Sequence, residues 1–347
     1  MESYDLFLQG TVFFDVVLTG LDSLPQRGTE LHADGMGACP GGIANLAIAA
    51  SRLGLSTSLS AAFGDDVYGD FCWQTLSEQE GVDLSRSRRF AGWHSPVTVS
   101  MVVNRDRAMV THSHAAPVSP SRLIGDTPSA RTAFVHLSDQ LEPWVDQART
   151  DGLRLFADVG WDPDEVWSPA IFEQLAGFYA FLPNSVEAMA YTQTRDPREA
   201  LHRLADKVPV AVVTCGGQGA MAIDSITGEE EWVPSLPVNA WDPTGAGDVF
   251  GAAFVLGTLR ELPLRQRLAL ANLCAALSVQ NVGGSLAAPG WGDIIDWITE
   301  LRARAAAGSS TSIELARSYD FVDALVPTSG LRTVRRATAT IARASDA

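Results

Sequence analysis

From residue 131 onward, four short apolar runs, TAFVHLS, RLFADVG, FYAFLPN and VAVVTCG, are separated by stretches with helical spacing such as EPWVDQARTDG and EALHRLADKV. Apolar runs this short suit strands buried on both faces, and the helix between each pair is the crossover that a parallel connection needs. The chain therefore predicts an α/β protein with a mostly parallel central sheet and helices on both sides. In such sheets ligands bind beyond the carboxyl ends of the strands. Two turn-rich stretches fall there: NSVE at 184–187, after FYAFLP, and CGGQGA at 215–220, after VAVVT.

The first half of the chain varies the theme. DLFLQGTVFFDVVLT (5–19) is a β-rich run broken at Gly10, and Asp15 interrupts its apolar pattern with no turn residue beside it. The turn CPGG (39–42) leads into IANLAIAASRLG, a tightly packed helix ending at Gly54. STSLSAAFG reads as a strand and DFCWQTLSEQEG as a helix. Alternation in SPVTVSMVVNRDRAMVTHSH (95–114) predicts two strands around an Asn-Arg-Asp-Arg turn, a hairpin with one exposed face. A long apolar helix over 246–260, a second in LRQRLALANLCAALSV and a third in DIIDWITELRARAAAG close the compact part near residue 308. Residues 309–347 read as a separate extension of unknown role, with helical spacing around 312–325.

Composition narrows the partners. A net charge of −16 over 347 residues offers no basic face for nucleic acid. No run approaches the roughly 20 apolar residues of a membrane span. MESYDLFLQG carries acids where a secretory leader carries bases, so a cytoplasmic protein with no membrane partner is expected. Four widely spaced cysteines, Cys39, Cys72, Cys215 and Cys274, lack zinc spacing and read as reduced thiols. The single lysine, Lys207, has no glycine loop before it and no G-x-x-x-x-G-K-[ST] occurs, which excludes a P-loop. A bound phosphate must then be held by backbone dipoles, a metal ion and an arginine.

WDPTGAGDVFGAAF (241–254) supplies the dipoles. Gly245, Ala246 and Gly247 leave backbone N–H groups bare ahead of an apolar helix, a ready site for an anion, and Asp248 follows at once. A carboxylate there either complements the helix terminus or takes a proton from an attacking hydroxyl. Asn184 and Glu187 have the spacing to approach one water-ligated Mg2+, and equally that of a capping box. Asp15 with Gly41, Gly42 and Asn45 would suit sugar hydroxyls; an ion pair and a plain turn are the structural alternatives.

PGGIANLAIAASRLG followed by AAFGDDVYG, and later DPTGAGDVFGAAF, resemble the two signature segments of the ribokinase-like (PfkB) carbohydrate kinases in order and separation. The resemblance runs over about residues 5–305 and includes GTVFFD, NSVE, TCGGQGA and the LANLCAALSV helix. It implies a three-layer α/β/α sandwich with a small β-sheet lid formed by about residues 11–16, 28–40 and 95–114. The resemblance also implies ATP as phosphoryl donor, with Asp248 as base and Gly245, Ala246 and Gly247 as anion hole. Asp15, Gly41, Gly42 and Asn45 correspond to sugar contacts, and Asn184 and Glu187 to the Mg2+ and phosphate motif, Glu187 acting through water. Thr214, Gly216, Gly219 and Thr244 fall on the nucleotide, and Asn272 borders the adenine. Asp242 and the loop at 281–285 fall where some members hold a monovalent cation such as K+.

The expected function is phosphorylation of a hydroxyl, a primary one, of a sugar or sugar-like substrate. A nucleoside kinase of the same fold and a non-catalytic sugar sensor are the rivals. The alternating lid strands further predict a homodimer through the lid.

Overall fold

The computed structural model describes residues 3–328, apart from 104–105, 127, 139, 161–164 and 282. The β-rich N-terminal run is two strands with different destinations, β1 (Tyr4–Gln9) and β2 (Val12–Leu21). Gly10 lies at the parting: a Cβ there would come 2.9 Å from Ile43 Cβ, so only glycine fits where the chain leaves the main sheet. Next come β3 (Gly35–Gly42), β4 (Thr57–Ser60), β5 (Ala62–Gly64), β6 (Arg88–Phe90), β7 (Val97–Val103) and β8 (Asp106–His112). The second half supplies β9 (Ala130–Leu137), β10 (Arg154–Val159), β11 (Ala180–Phe181), β12 (Val210–Thr214), β13 (Ala220–Asp224) and β14 (Glu229–Val233).

The main sheet has the order β14-β13-β12-β11-β10-β9-β1-β4. All neighbours from β12 to β4 are parallel. Strands β13 and β14 add an antiparallel edge. Burial on both faces shows in alternate side chains: Leu6, Leu8, Phe134 and Phe156 enter one core and Phe7, Val135 and Leu155 the other. Helices Ile43–Arg52, Ala246–Leu259, Leu264–Ser278 and Trp291–Ala306 cover the first face. Pro143–Thr150 and Pro197–Ala205 cover the second. This is the three-layer α/β/α sandwich expected from the sequence.

The lid is a separate sheet of order β3-β2-β7-β8. Its hairpin has Val102 opposite Arg107, so Arg107, expected in the turn, belongs to strand β8. Residues 104–105 of that turn lie outside the described residues.

Three readings need correction. STSLSAAFG is not one strand: β4 stays in the main sheet, while β5 departs to pair with β6. The DFCWQTLSEQEG helix runs Val67–Gln74 and widens into a π turn at Thr75–Gln79. Packing also continues past residue 308. Helix Ser310–Ser318 leads to Tyr319 and Val322, which are 3% and 0% exposed in the main core, and the Tyr319 hydroxyl donates to the Ala269 carbonyl at 3.2 Å. Residues 329–347 lie outside the described residues. No helix among the described residues is long and apolar enough to cross a membrane.

Candidate active site

Helix Ala246–Leu259 sets the centre of the site. Its N-cap, Gly245, has φ +77°, the left-handed region where a side chain is strained, and no side chain caps the terminus. A Cβ added at Gly247 meets nothing within 4 Å, so that stretch of backbone is open to a ligand. The amide of Ala246 donates to Pro243 O at 3.2 Å, so it is not bare as the sequence led one to expect. Asp248 lies in the first turn but does not cap it. Its Oδ2 accepts from Asn45 Nδ2 at 3.1 Å, across to the N-terminal half of the chain.

Asn45 is 7% exposed on helix Ile43–Arg52, and its Oδ1 is buried with no hydrogen-bond partner. A buried acceptor in that condition costs about 1–3 kcal/mol until a donor arrives, and a substrate hydroxyl is such a donor. Burial raises the Asp248 carboxyl above its ordinary value; the charge of His136, the bond from Asn45 and the charge of Arg107 pull it back.

Asp15 enters from the lid. Strand β2 places it opposite Cys39 on β3 and Thr98 on β7. Burial pushes its carboxyl up to about 7, against the bond from Thr98 and the charge of Arg107, with the Asp242 charge raising it further. Gly41 is glycine because of this carboxylate: a Cβ there would lie 1.8 Å from Asp15 Oδ2. Gly42, with φ +62°, has room for no side chain either, since a Cβ would come 2.4 Å from Thr11 O.

Asn184 and Glu187 form a capping box at the start of helix Ser185–Thr192. Asn184 Oδ1 accepts from the amides of Val186 and Glu187 at 2.9 and 3.0 Å, and Glu187 Oε2 accepts from the Asn184 amide at 3.0 Å. Burial raises the Glu187 carboxyl. Asn184 pairs with Thr214 as an isolated bridge, so the Asn-x-x-Glu turn and the loop that follows Thr214 lie at adjacent strand ends. In that loop Gly216 has φ +52° and open space around it. Gly219 is structural, since a Cβ would come 2.1 Å from Val233 O. Asn272 is buried and its Nδ2 donates to Val233 O and Pro234 O at 2.9 and 3.3 Å, fixing the segment after β14.

Asp242 is buried and its oxygens accept from the amides of Thr244 at 2.9 Å and Gly283 at 3.3 Å. The loop after Gly283 is tied down by Arg52, whose Nη1 donates to the carbonyls of Leu286 and Ala288 at 2.9 and 2.6 Å.

Three residues here were missed in the sequence. Asp158, at the carboxyl end of β10, is raised well above the carboxylate range by burial and by the charges of Glu187 and Asp248. His136 occupies the end of β9, where its charge reaches Asp248. Arg107 Nη1 donates to Thr244 Oγ1 at 3.1 Å, from the lid to the residue before Gly245. Asp158 could have been found, since it is an acid at a parallel-strand end; Arg107 was hidden by reading as a turn.

A parallel sheet with a lid strand over an uncapped Gly-Ala-Gly helix terminus defines a ribokinase-like phosphotransferase fold. Comparison with known proteins agrees: residues 10–290 match the pfkB family carbohydrate kinases, and the chain belongs to that family. It is 25% identical to a nucleoside kinase of Methanothermobacter thermautotrophicus, over 86% of this chain and 96% of that one. It is 27% identical to the ribokinase of Bacillus subtilis, over 79% and 92%. In fold it is similar to a provisional ribokinase II from E. coli in complex with ATP and Mg2+, with a TM-score of 0.71, 21% identity and coverage of 86% and 99%. The protein is thus a kinase of the sugar and nucleoside class.

Proposed function

We propose that this kinase transfers the γ-phosphoryl group of ATP to a primary hydroxyl of a sugar or sugar-like acceptor. The observation that carries the reading is the Asp248 carboxylate, half-buried, held by Asn45 and directly following Gly247, whose backbone lies open at the uncapped helix terminus. Asp248 takes the hydroxyl proton as the acceptor oxygen bonds to the γ-phosphorus; the bond to the β–γ bridging oxygen breaks and ADP leaves. Developing charge on the phosphoryl oxygens falls on the helix amides. The orphaned Asn45 Oδ1 and the Asp15 carboxylate receive acceptor hydroxyls.

Glu187 and Asp158 suit Mg2+, which prefers oxygen ligands and keeps several waters. Burial raises both carboxyls and the Glu187 charge raises Asp158 further, a strain that a bound cation would relieve. No group of three or more such side chains among the described residues could hold a metal by itself, so an Mg2+ held here would take its other ligands from water and phosphate. Mg2+ supplies charge neutralisation of the phosphates when bound. Thr214 and Gly216 face the nucleotide in this reading, Gly219 lets the loop close on Val233, and Asn272 shapes the pocket by holding Val233 and Pro234. Asp242 already accepts from two backbone amides, and turnover without a potassium ion there is part of the proposal.

The lid face away from Asp15 is apolar. Val16, Ala38, Val99 and Val110 form one row across it and Leu18, Met36, Met101 and Ala108 the next. Phe14 at its inner end packs on Tyr68 and Phe71, whereas Val110 is 64% exposed. A second copy of the same lid is the proposed cover, giving a two-fold dimer.

A coupled ADP-release assay over a panel of sugars and nucleosides tests the reading. Acceptor-dependent ADP formation with Mg-ATP is expected. No release above the acceptor-free rate with any member of the panel would overturn it, and preference for nucleosides would move the acceptor class to that of the archaeal relative.

A further inference from the structure

Side chains on one face of a sheet stack in rows two residues apart along each strand. Phe134 on β9 and Phe156 on β10 share such a row, in register and with rings stacked at 6.4 Å. Helix Ala246–Leu259 lies over it, since a Cβ added at Gly251 would come 3.1 Å from Phe134 Cε2. The next row on that face, toward the carboxyl ends of the strands, is His136 opposite Asp158. Three residues before Gly251, about one turn nearer the helix N-terminus, is Asp248. His136, Asp158 and Asp248 thus form one layer above the phenylalanine floor, from two strands and a helix. Two acids in one layer oppose each other's ionisation. His136 treats them unequally. Burial raises Asp248, and the largest of the influences that pull it back is the charge of His136, ahead of the Asn45 bond and the charge of Arg107 from the lid. At Asp158, the register partner of His136, burial and the charges of Glu187 and Asp248 all push upward, and the Val159 amide alone opposes them.

We propose that His136 is a positioning residue for the transfer step: from the end of β9 its imidazolium keeps Asp248, rather than Asp158, the ionised acid of the pair. This rests on the kinase reading above, in which Asp248 must be ionised to take the acceptor proton. Pushing two neighbouring acids apart in this way gives each its own task. The acid beside the imidazolium is the base, and the other is left for the charge of a metal ion. Histidine is the side chain whose charge changes between pH 5 and 8, so the support is present on the acid side, where a base raised by burial is lost first. No proton passes through His136. The acceptor proton goes to Asp248 as the new bond to phosphorus forms, and the imidazolium keeps its own.

Carbon-13 NMR of the full chain labelled at its aspartate carboxyls, with the Asp248 signal assigned by its loss in Asp248→Asn, follows the base directly and needs no acceptor. His136→Gln removes the charge from an exposed position, so the fold should tolerate it. The Asp248 midpoint should then move up by about one pH unit, the lower end of what a nearby opposite charge does to a carboxyl. His136→Arg keeps a charge at every pH and should hold the midpoint at or below that of the wild type. In the coupled ADP-release assay the acid limb of kcat/KM should move with the midpoint in both variants. A role in packing alone would instead lower kcat/KM at every pH and leave the limb in place. An unmoved Asp248 midpoint in His136→Gln, or an equal rise in His136→Arg, would overturn the assignment. A wild type that phosphorylates no acceptor strikes the kinase reading instead, and the carboxyl titration still decides this one.

Discussion

Asp15→Asn should make the sugar-free protein more stable at pH 8 while weakening its hold on the acceptor. The carboxyl moves from 3.8 to about 7 on folding, roughly three units at 1.36 kcal/mol each. The sign follows from the raised value. Between the two pKa values the folded chain holds a proton that the unfolded chain has released, so this contribution to stability is full below pH 4 and is lost as pH rises through 7. At pH 8 the ionised, half-buried carboxylate therefore costs the fold up to about 4 kcal/mol that an amide does not. Urea unfolding at pH 5 and pH 8 measures it: the variant should gain on the wild type by ~2–4 kcal/mol as pH rises across that window. The same substitution replaces a charged acceptor with a neutral one, so affinity for the acceptor should fall ~10-fold or more with Mg-ATP binding unchanged. Equal pH dependence of stability in both proteins would refute the argument, because it would mean that Asp15 is solvated in the sugar-free state.

Gly41→Ala places a Cβ on the Asp15 carboxylate; steady-state kinetics should show a higher acceptor KM with the ATP KM within about twofold, and equal changes in both would mean that this end of β3 serves the fold alone. Val99→Glu with Met101→Glu puts charge on the apolar lid face, and light scattering should find a dimer in the wild type and monomers with weakened acceptor binding in the variant. A monomeric wild type would end the lid-dimer reading. Turnover in tetramethylammonium buffer should match that in potassium buffer; strong activation by potassium would place an ion at Asp242 after all.

The sequence made the layers legible because buried parallel strands leave an unmistakable alternation of short apolar runs and helices. It made the candidate catalytic end legible only through two segments taken together, since an acid beside Gly-Ala-Gly by itself reads equally well as a helix-terminus residue. Local pattern failed where tertiary packing decides. Nothing in STSLSAAFG shows that its second half will pair with Arg88–Phe90, because that partner lies outside the segment. Tyr319 and Val322 look like part of a tail until the groove that buries them is seen. Asn184 and Glu187 show the limit most clearly, because the structure displays their capping box while the metal role asks for the same side chains with a ligand present. Arg107 was read as a turn residue, and its reach to Thr244 depends on a lid fold that no local pattern reports.

The central claim is that Asp248 removes the acceptor proton. Acceptor-dependent ADP release by Asp248→Asn, measured with acceptor and nucleotide binding followed by calorimetry on the same preparation, tests it directly. The account predicts turnover lowered by at least ~100-fold with both affinities nearly unchanged, as for loss of a general base. Because burial raises the Asp248 carboxyl, wild-type kcat/KM should also fall as pH drops through a value above the ordinary carboxylate range, and the variant should lack that limb. Near-wild-type turnover in Asp248→Asn, or an unchanged acid limb, would contradict the account.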